Sequence, residues 1–261
     1  MHFKNIRLEK DEAVYTITLD RPDRMNAISM DTVPELLEAL RSVASDATAR
    51  VLVITGAGDR AFSAGADVGD MVHRDAPEAA AIVRLYLDYI RAIRELPIPV
   101  VAKVNGVAAG GGCCTALASD IRIASDRARF GFVFVRVGLT GADMGATYFL
   151  PRLVGFGRAS ELLLNGDVID AQEAYRIGLA NRVVPHDDLD RVTDEYVRRL
   201  AAGPPLALKL TKQALNASLD RDMTAEFDFE TYAQTLCIVS DDHMEGAQAF
   251  REKRAPVFTG R

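Results

Sequence analysis

Pro99-Val100-Val101-Ala102-Lys103-Val104-Asn105-Gly106-Val107-Ala108-Ala109-Gly110-Gly111-Gly112-Cys113-Cys114-Thr115-Ala116-Leu117-Ala118 runs from a strand into a helix. Val100, Val101 and Val104 form a β-branched run, Asn105-Gly106 is a turn signal, and Cys113 to Ala118 is small and apolar enough for a buried helix. Glycines at such a junction let the backbone adopt conformations closed to other residues and let a ligand touch bare N–H groups. The first N–H groups of the helix have no internal partner and lie at its positive end, which suits an oxyanion. Close backbone packing would call for the same glycines, so the neighbouring sequence has to decide.

Working outward, the chain alternates strands and helices up to about residue 135. Residues 3–9 and 13–20 read as strands, with Asp11-Glu12 at the turn, and Ser29 to about Ala44 as a helix. Val51 to Thr55 is a wholly apolar strand of the kind buried on both faces. Gly56-Ala57-Gly58-Asp59-Arg60-Ala61 matches a dinucleotide fingerprint, but a second glycine turn at Phe62-Ser63-Ala64-Gly65-Ala66-Asp67 stands where the helix should begin. The spacing predicts a helix over 77–95, short strands over 120–124 and 129–133, and a helix from about Ala146. Beyond it helices dominate (157–164, 171–177, 187–202, 205–219, 222–237 and 241–252), with one short strand near 181–184. This order predicts an α/β core over 1–200 and a helical region over 201–261. The apolar residues Phe227, Phe229, Tyr232, Leu236 and Ile238 fit packing against another subunit or against the parent core equally well.

At 261 residues and 49% hydrophobic, the chain can bury a core without a disulfide or metal staple. Its net charge of −6 argues against nucleic acid or an acidic membrane as the main partner. Cys113, Cys114 and Cys237 make an odd count without zinc spacing, which points to a reducing cytoplasm. No apolar h-region opens the chain, and the most weakly charged run, 96–119, reads as strand then helix rather than a membrane span.

The two glycine loops, Phe62 to Asp67 and Asn105 to Cys113, together resemble the crotonase superfamily, the enoyl-CoA hydratase/isomerase family. Agreement continues in order through Leu19 to Ala27, Ser119 to Ala124, Phe130-Gly131, Leu150 to Gly155, then Gly166, Ala171 to Ala174 and Gly178-Leu179, and last Asp242, Glu245-Gly246 and Ala249 to Phe258. The resemblance implies a spiral of βαβ units with a helical C-terminal trimerisation region, a trimer or dimer of trimers, and a coenzyme A thioester as substrate. It implies no cofactor beyond that coenzyme A moiety and no metal. Carried over by position, the thioester oxygen would lie between the N–H groups of Ala66 and Gly111. Fixed donors at a developing enolate contribute on the order of 3 kcal/mol each. The loop bearing Ala64, Ala66, Asp67 and Val68 would lie along coenzyme A, with Arg24 and the Lys253-Arg254 pair as candidates for its phosphates.

The sequence departs from the family's two-glutamate hydratases. The positions that would hold the glutamates are Cys114 and Phe134, and neither can act as a carboxylate acid or base. One carboxylate remains in a suitable place: Asp143, in Gly141-Ala142-Asp143-Met144-Gly145, is similar to the catalytic aspartate of dienoyl-CoA isomerases and to the nucleophile of 4-chlorobenzoyl-CoA dehalogenases. Aspartate also suits an N-cap for a helix starting near Met144. Asp67 reads as positioning the oxyanion loop, Asp120 as structural, Glu161 as a solvated face, and Cys114 as an inert buried thiol rather than a nucleophile. None of the four histidines lies in these motifs. The expected function is acyl-CoA chemistry with proton transfer by Asp143, double-bond isomerisation first. Hydration with a non-standard acid/base, aryl-CoA substitution by Asp143, and acyl-CoA binding without catalysis are the alternatives.

Overall fold

Val100–Val104 is the fourth strand of a six-stranded sheet, and Val107–Ala109, only three residues on, belongs to a separate four-stranded one. The computed structural model describes residues 2–261. The chain runs β1 (Ile6–Asp11), β2 (Val14–Leu19), α1 (Thr32–Ser45), β3 (Val51–Gly56), β4 (Ala61–Ser63), α2 (Ala76–Glu95), β5 (Val100–Val104), β6 (Val107–Ala109), α3 (Gly111–Ala118), β7 (Ile121–Ser125) and β8 (Arg129–Gly131). It continues through α4 (Ala146–Val154), α5 (Phe156–Asn165), β9 (Val168–Asp170), α6 (Ala171–Arg176), β10 (Arg182–Val184), α7 (Leu189–Ala201), α8 (Pro205–Ala217), α9 (Met223–Ile238) and α10 (Asp241–Glu252).

The larger sheet is ordered β1-β2-β3-β5-β7-β10, parallel except for the β1–β2 hairpin, and the smaller one β4-β6-β8-β9. Successive passes β3–β4, β5–β6 and β7–β8 each give one strand to each sheet, and α2 and α3 return the chain for the next pass. That is a spiral of βαβ units. β3 and most of β5 are buried, as expected of strands covered on both faces.

Asn105-Gly106 is therefore a corner between sheets rather than a turn leading directly to the helix. The Asn105 amide donates to the carbonyls of Gly56 (3.0 Å) and Gly58 (2.6 Å), and its oxygen accepts the Gly56 N–H at 3.2 Å. It stitches each corner to the one before. The fingerprint-like 56–61 segment serves the same purpose, running from β3 into β4 with no helix after it. Strands β4, β6 and β9 are three residues each, too short for alternation to reveal. The strand expected over 129–133 ends at Gly131, and a 3-10 turn over Val133–Val137 follows.

α3 is buried along its whole length. A Cβ on Gly112 would lie 2.2 Å from the Ser63 carbonyl oxygen, so glycine is what lets α3 seat directly on β4. The buried guanidinium of Arg122 donates to the carbonyls of Ser119 (2.8 Å) and Leu179 (2.7 Å), closing the far end of the same helix.

α8 is tied to the core by a charge. Lys212, with its side chain 8% exposed, pairs with Asp120 at 2.8 Å and donates to the Ile98 carbonyl at 2.9 Å, while Asp120 also faces Arg94 at 3.3 Å and accepts the Val100 N–H at 2.8 Å. Removing one partner strands the other in a poorly solvated site. Lys212→Ala is expected to lower stability by about 3 kcal/mol, read as a drop in the urea midpoint at unchanged slope. A midpoint equal to that of the parent would show that Arg94 alone satisfies Asp120. No helix among the described residues is long and apolar enough to cross a membrane.

Candidate active site

The N–H groups of Ala66 and Gly111 come together because two segments cross. Ala66 sits in an isolated parallel bridge with Ile28: the Ile28 N–H donates to Gly65 at 2.8 Å, and the Asp67 N–H donates to Ile28 at 3.2 Å. Those bonds use the groups on either side and leave the Ala66 N–H without an acceptor among the described residues. Gly111 is the first residue of α3, so its N–H is one the helix cannot pair internally. A Cβ on Gly65 (φ +89°) would lie 2.5 Å from the Ala109 oxygen and 2.9 Å from the Gly111 nitrogen, which shows how tightly the segments cross. A Cβ on Gly111 would stand 3.7 Å from the Ala66 nitrogen and 2.9 Å from Met144 Sδ. Both donors thus border one small space roofed by Met144.

That space opens into a cavity of about 500 Å³ whose walls include Ala66, Asp67, Asp70, Tyr86, Asp143 and Met144, with Ile82, Val83, Val137 and Leu139 as apolar surface. Its three carboxylates are in different states. Asp67 is committed to the loop, accepting the Gly69 N–H at 2.9 Å and pairing with Arg21 at 2.7 Å; these bonds hold its carboxyl below the usual range. Asp70 accepts the Met30 N–H at 2.7 Å. Asp143 is half-buried and pairs with no cation among the described residues. Burial pushes its carboxyl above the ordinary 3.8, opposed only by the Met144 N–H. A carboxyl raised by burial in this way is suited to exchanging a proton.

Asp143 is not the N-cap of the next helix: α4 begins at Ala146 with Gly145 in the cap position, and only the Asp143 backbone carbonyl accepts the Ala146 N–H, at 2.8 Å. Cys114 lies behind this loop, fully buried, with its Sγ 3.7 Å from the Asp143 carbonyl oxygen. Burial raises the thiol well above its ordinary value, so it is a packing residue rather than a nucleophile. Phe134, 5% exposed, stands against Gly110, where a Cβ would lie 3.8 Å from its ring. Alkylation of the native protein with iodoacetamide is expected to spare Cys113 and Cys114, both buried, and to reach them only after unfolding. Mass analysis of the 113–114 peptide checks this, and native labelling there would mean that α3 opens.

The structure thus gathers Ala66, Asp67, Gly111, Cys114, Phe134 and Asp143 around one end of α3. Ala64, Val68 and Arg24 lie along the neighbouring loops; Val68 is 75% exposed, and Arg24 sits in a 3-10 turn close enough to help lower the Asp67 carboxyl. Arg254 is spent within its own segment on Glu245 (2.6 and 2.8 Å) and Glu252 (2.7 Å). Asp120 and Glu161 are held in ion pairs with Lys212 and Arg158. The cavity also contains His73 and Tyr86, which motif reading did not place there. Tyr86 carried a signal, lying on the apolar stripe of α2; His73 sits in an irregular segment with no periodicity to read.

A family model described as enoyl-CoA hydratase/isomerase matches residues 9–261. The chain is similar to a crotonyl-CoA hydratase of Syntrophomonas wolfei, 41% identical with 99% of each chain covered. It is also similar to a 1,2-epoxyphenylacetyl-CoA isomerase of Escherichia coli, 38% identical over 96% of this chain and 97% of the relative. Among solved structures, an enoyl-CoA hydratase from Bacillus anthracis superposes with a TM-score of 0.95 at 35% identity, covering 99% of this chain and 100% of that one.

Proposed function

This chain belongs to the enoyl-CoA hydratase/isomerase family, and from that premise we propose that it moves a double bond within an acyl-CoA thioester, with Asp143 carrying the proton. One observation carries the reading: a half-buried carboxylate with no cationic partner among the described residues shares a cavity wall with Ala66, next to the unpaired N–H of Gly111. In a 3-enoyl thioester, the Asp143 carboxylate takes a proton from the carbon beside the carbonyl. The electron pair then spreads over the two carbon–carbon bonds and the thioester oxygen. The N–H groups of Ala66 and Gly111 hold the negative charge on that oxygen. Asp143 returns the proton to the far carbon, leaving the conjugated 2-enoyl thioester and the carboxylate in its starting state. Desolvation favours this dual use, because it brings the proton affinity of the carboxyl closer to neutral pH. No cofactor beyond the coenzyme A portion is required, and the exposed Arg24 beside the 62–68 loop suits its phosphates.

Hydration is the second reading, supported by the likeness to the crotonyl-CoA hydratase. It would have to proceed with Cys114 and Phe134, both buried, in place of two carboxylates, so Asp143 would have to serve alone. Incubation with a 3-enoyl-CoA and with crotonyl-CoA in D₂O separates the two. Appearance of conjugated thioester absorbance is the expected result, with deuterium at the far carbon in those turnovers in which the Asp143 proton exchanges with solvent before it is returned. Water addition to crotonyl-CoA without bond migration would replace this reading with the second.

The active form is inferred to be a homotrimer or a dimer of trimers. α9 has no buried residue, and Phe227, Tyr232 and Ile238 on it are 57%, 58% and 52% exposed, so the parent core does not cover them. Native mass spectrometry is expected to give three or six copies, and a monomer at micromolar concentration would overturn the inference.

A further inference from the structure

Two tyrosines three residues apart on α2 reach the two segments that carry the Ala66 and Gly111 donors. Tyr86 is 7% exposed and donates its hydroxyl to the Ile28 carbonyl at 2.9 Å. Ile28 is the residue whose backbone grips the chain on both sides of Ala66. Tyr89 is fully buried, and its hydroxyl lies 3.2 Å from Thr115 Oγ1. Thr115 donates its own hydrogen to the Gly111 carbonyl at 3.0 Å, so Tyr89 is the donor in the tyrosine–threonine pair. The spacing of three places both rings on one face of α2. One helix therefore holds both halves of the site, the Ala66 loop through Ile28 and the first turn of α3 through Thr115.

We propose that Tyr86 and Tyr89 form a brace on α2 that fixes the spacing and aim of the two N–H donors, as positioning residues for the thioester oxygen. The inference rests on the reading of Ala66 and Gly111 as donors to that oxygen. Preorganised donors are effective because they need not rearrange as charge develops, and beyond the last β4–β6 pairing, at Ser63 and Ala108, no ladder joins the two segments to each other to keep their width. Burial pushes the Tyr86 phenol up to about 12 and raises that of Tyr89 as well, so both remain protonated donors at working pH. The brace also accounts for two polar side chains on an otherwise apolar helix face.

The test is the thioester carbonyl stretch of isotope-labelled butyryl-CoA, which has no double bond to migrate, read by difference infrared spectroscopy on the full-length protein. Binding to the parent protein is expected to move the band to lower frequency. Tyr86→Phe and Tyr89→Phe keep the rings and remove only the hydroxyls. Each is expected to lose part of the band shift, and the double variant more. With a 3-enoyl-CoA, kcat is expected to fall by about tenfold per variant, the worth of one hydrogen bond, with KM changed by less than about twofold. Tyr15→Phe is the control: its hydroxyl donates to Asp46 at 2.6 Å, away from the cavity, and its loss should affect stability without moving the band. A parental band shift in both α2 variants, whatever their thermal stability, would overturn the brace. No band shift in the parent protein would instead defeat the donor reading, and the brace with it, before any variant is compared.

Discussion

Asp143→Asn is expected to lower kcat for bond migration by about 10²–10⁴, the usual contribution of a positioned acid/base group, while acyl-CoA binding persists. The amide is nearly isosteric and the side chain pairs with no cation among the described residues, so no ion pair is broken. The substitution should also leave the protein as stable or more so at neutral pH. Burial raises the folded-state pKa of Asp143 above the unfolded value near 3.8. Between those two values the folded state binds more protons than the unfolded one, so stability falls as pH rises through that window and stays lower above it. The asparagine variant lacks this penalty, and its advantage should vanish as pH drops below the window. The acid limb of kcat/KM should likewise lie above the ordinary carboxylate range in the parent and disappear in the variant's residual activity. Thermal melts and rate profiles of both proteins across acid to neutral pH check these points. A variant with parental turnover would remove Asp143 from the mechanism, and one less stable than the parent at neutral pH would contradict its desolvated state.

Gly111→Ala should be nearly as damaging for a different reason. The new methyl would lie 3.7 Å from the Ala66 nitrogen and 2.9 Å from Met144 Sδ, in the space the two N–H groups share. The methionine end is flexible and can give way, so the fold should survive, but the oxygen of a bound thioester can no longer approach both donors. Losing such a donor costs about 10²–10³ in kcat. Gly112→Ala is the instructive comparison, because its methyl would meet the Ser63 backbone oxygen at 2.2 Å and force β4 and α3 apart. The first variant should be folded and slow, the second unstable. Circular dichroism melts beside turnover with a 3-enoyl-CoA distinguish them, and a Gly111→Ala enzyme within a few fold of the parent would show that this space does not hold the reacting oxygen.

Much of this was legible in the chain itself. The apolar runs at 51–55 and 100–104, the amphipathic stripe of α2 and the six C-terminal helical patterns announced themselves through periodicity, which survives wherever an element is long enough to repeat. The two glycine loops and the solitary Asp143 were readable because only glycine tolerates such close backbone approach, and because the positions at Cys114 and Phe134 lack carboxylates. What sequence could not decide was tertiary. Strands β4, β6 and β9 are three residues long and owe their conformation to partners on other passes of the spiral, so Asn105-Gly106 turned out to be a corner between two sheets. Whether Asp143 caps a helix or faces a cavity depended on α4 starting at Ala146, where Gly145 takes the cap. How each cavity carboxylate is engaged depended on Arg21 and the Gly69 and Met30 N–H groups reaching Asp67 and Asp70, and on the burial of Asp143. The sequence by itself determined the residue types and the local elements, since propensity and spacing act within a few positions. The shared space between Ala66 and Gly111 exists only where segments 45 positions apart are brought into contact by folding.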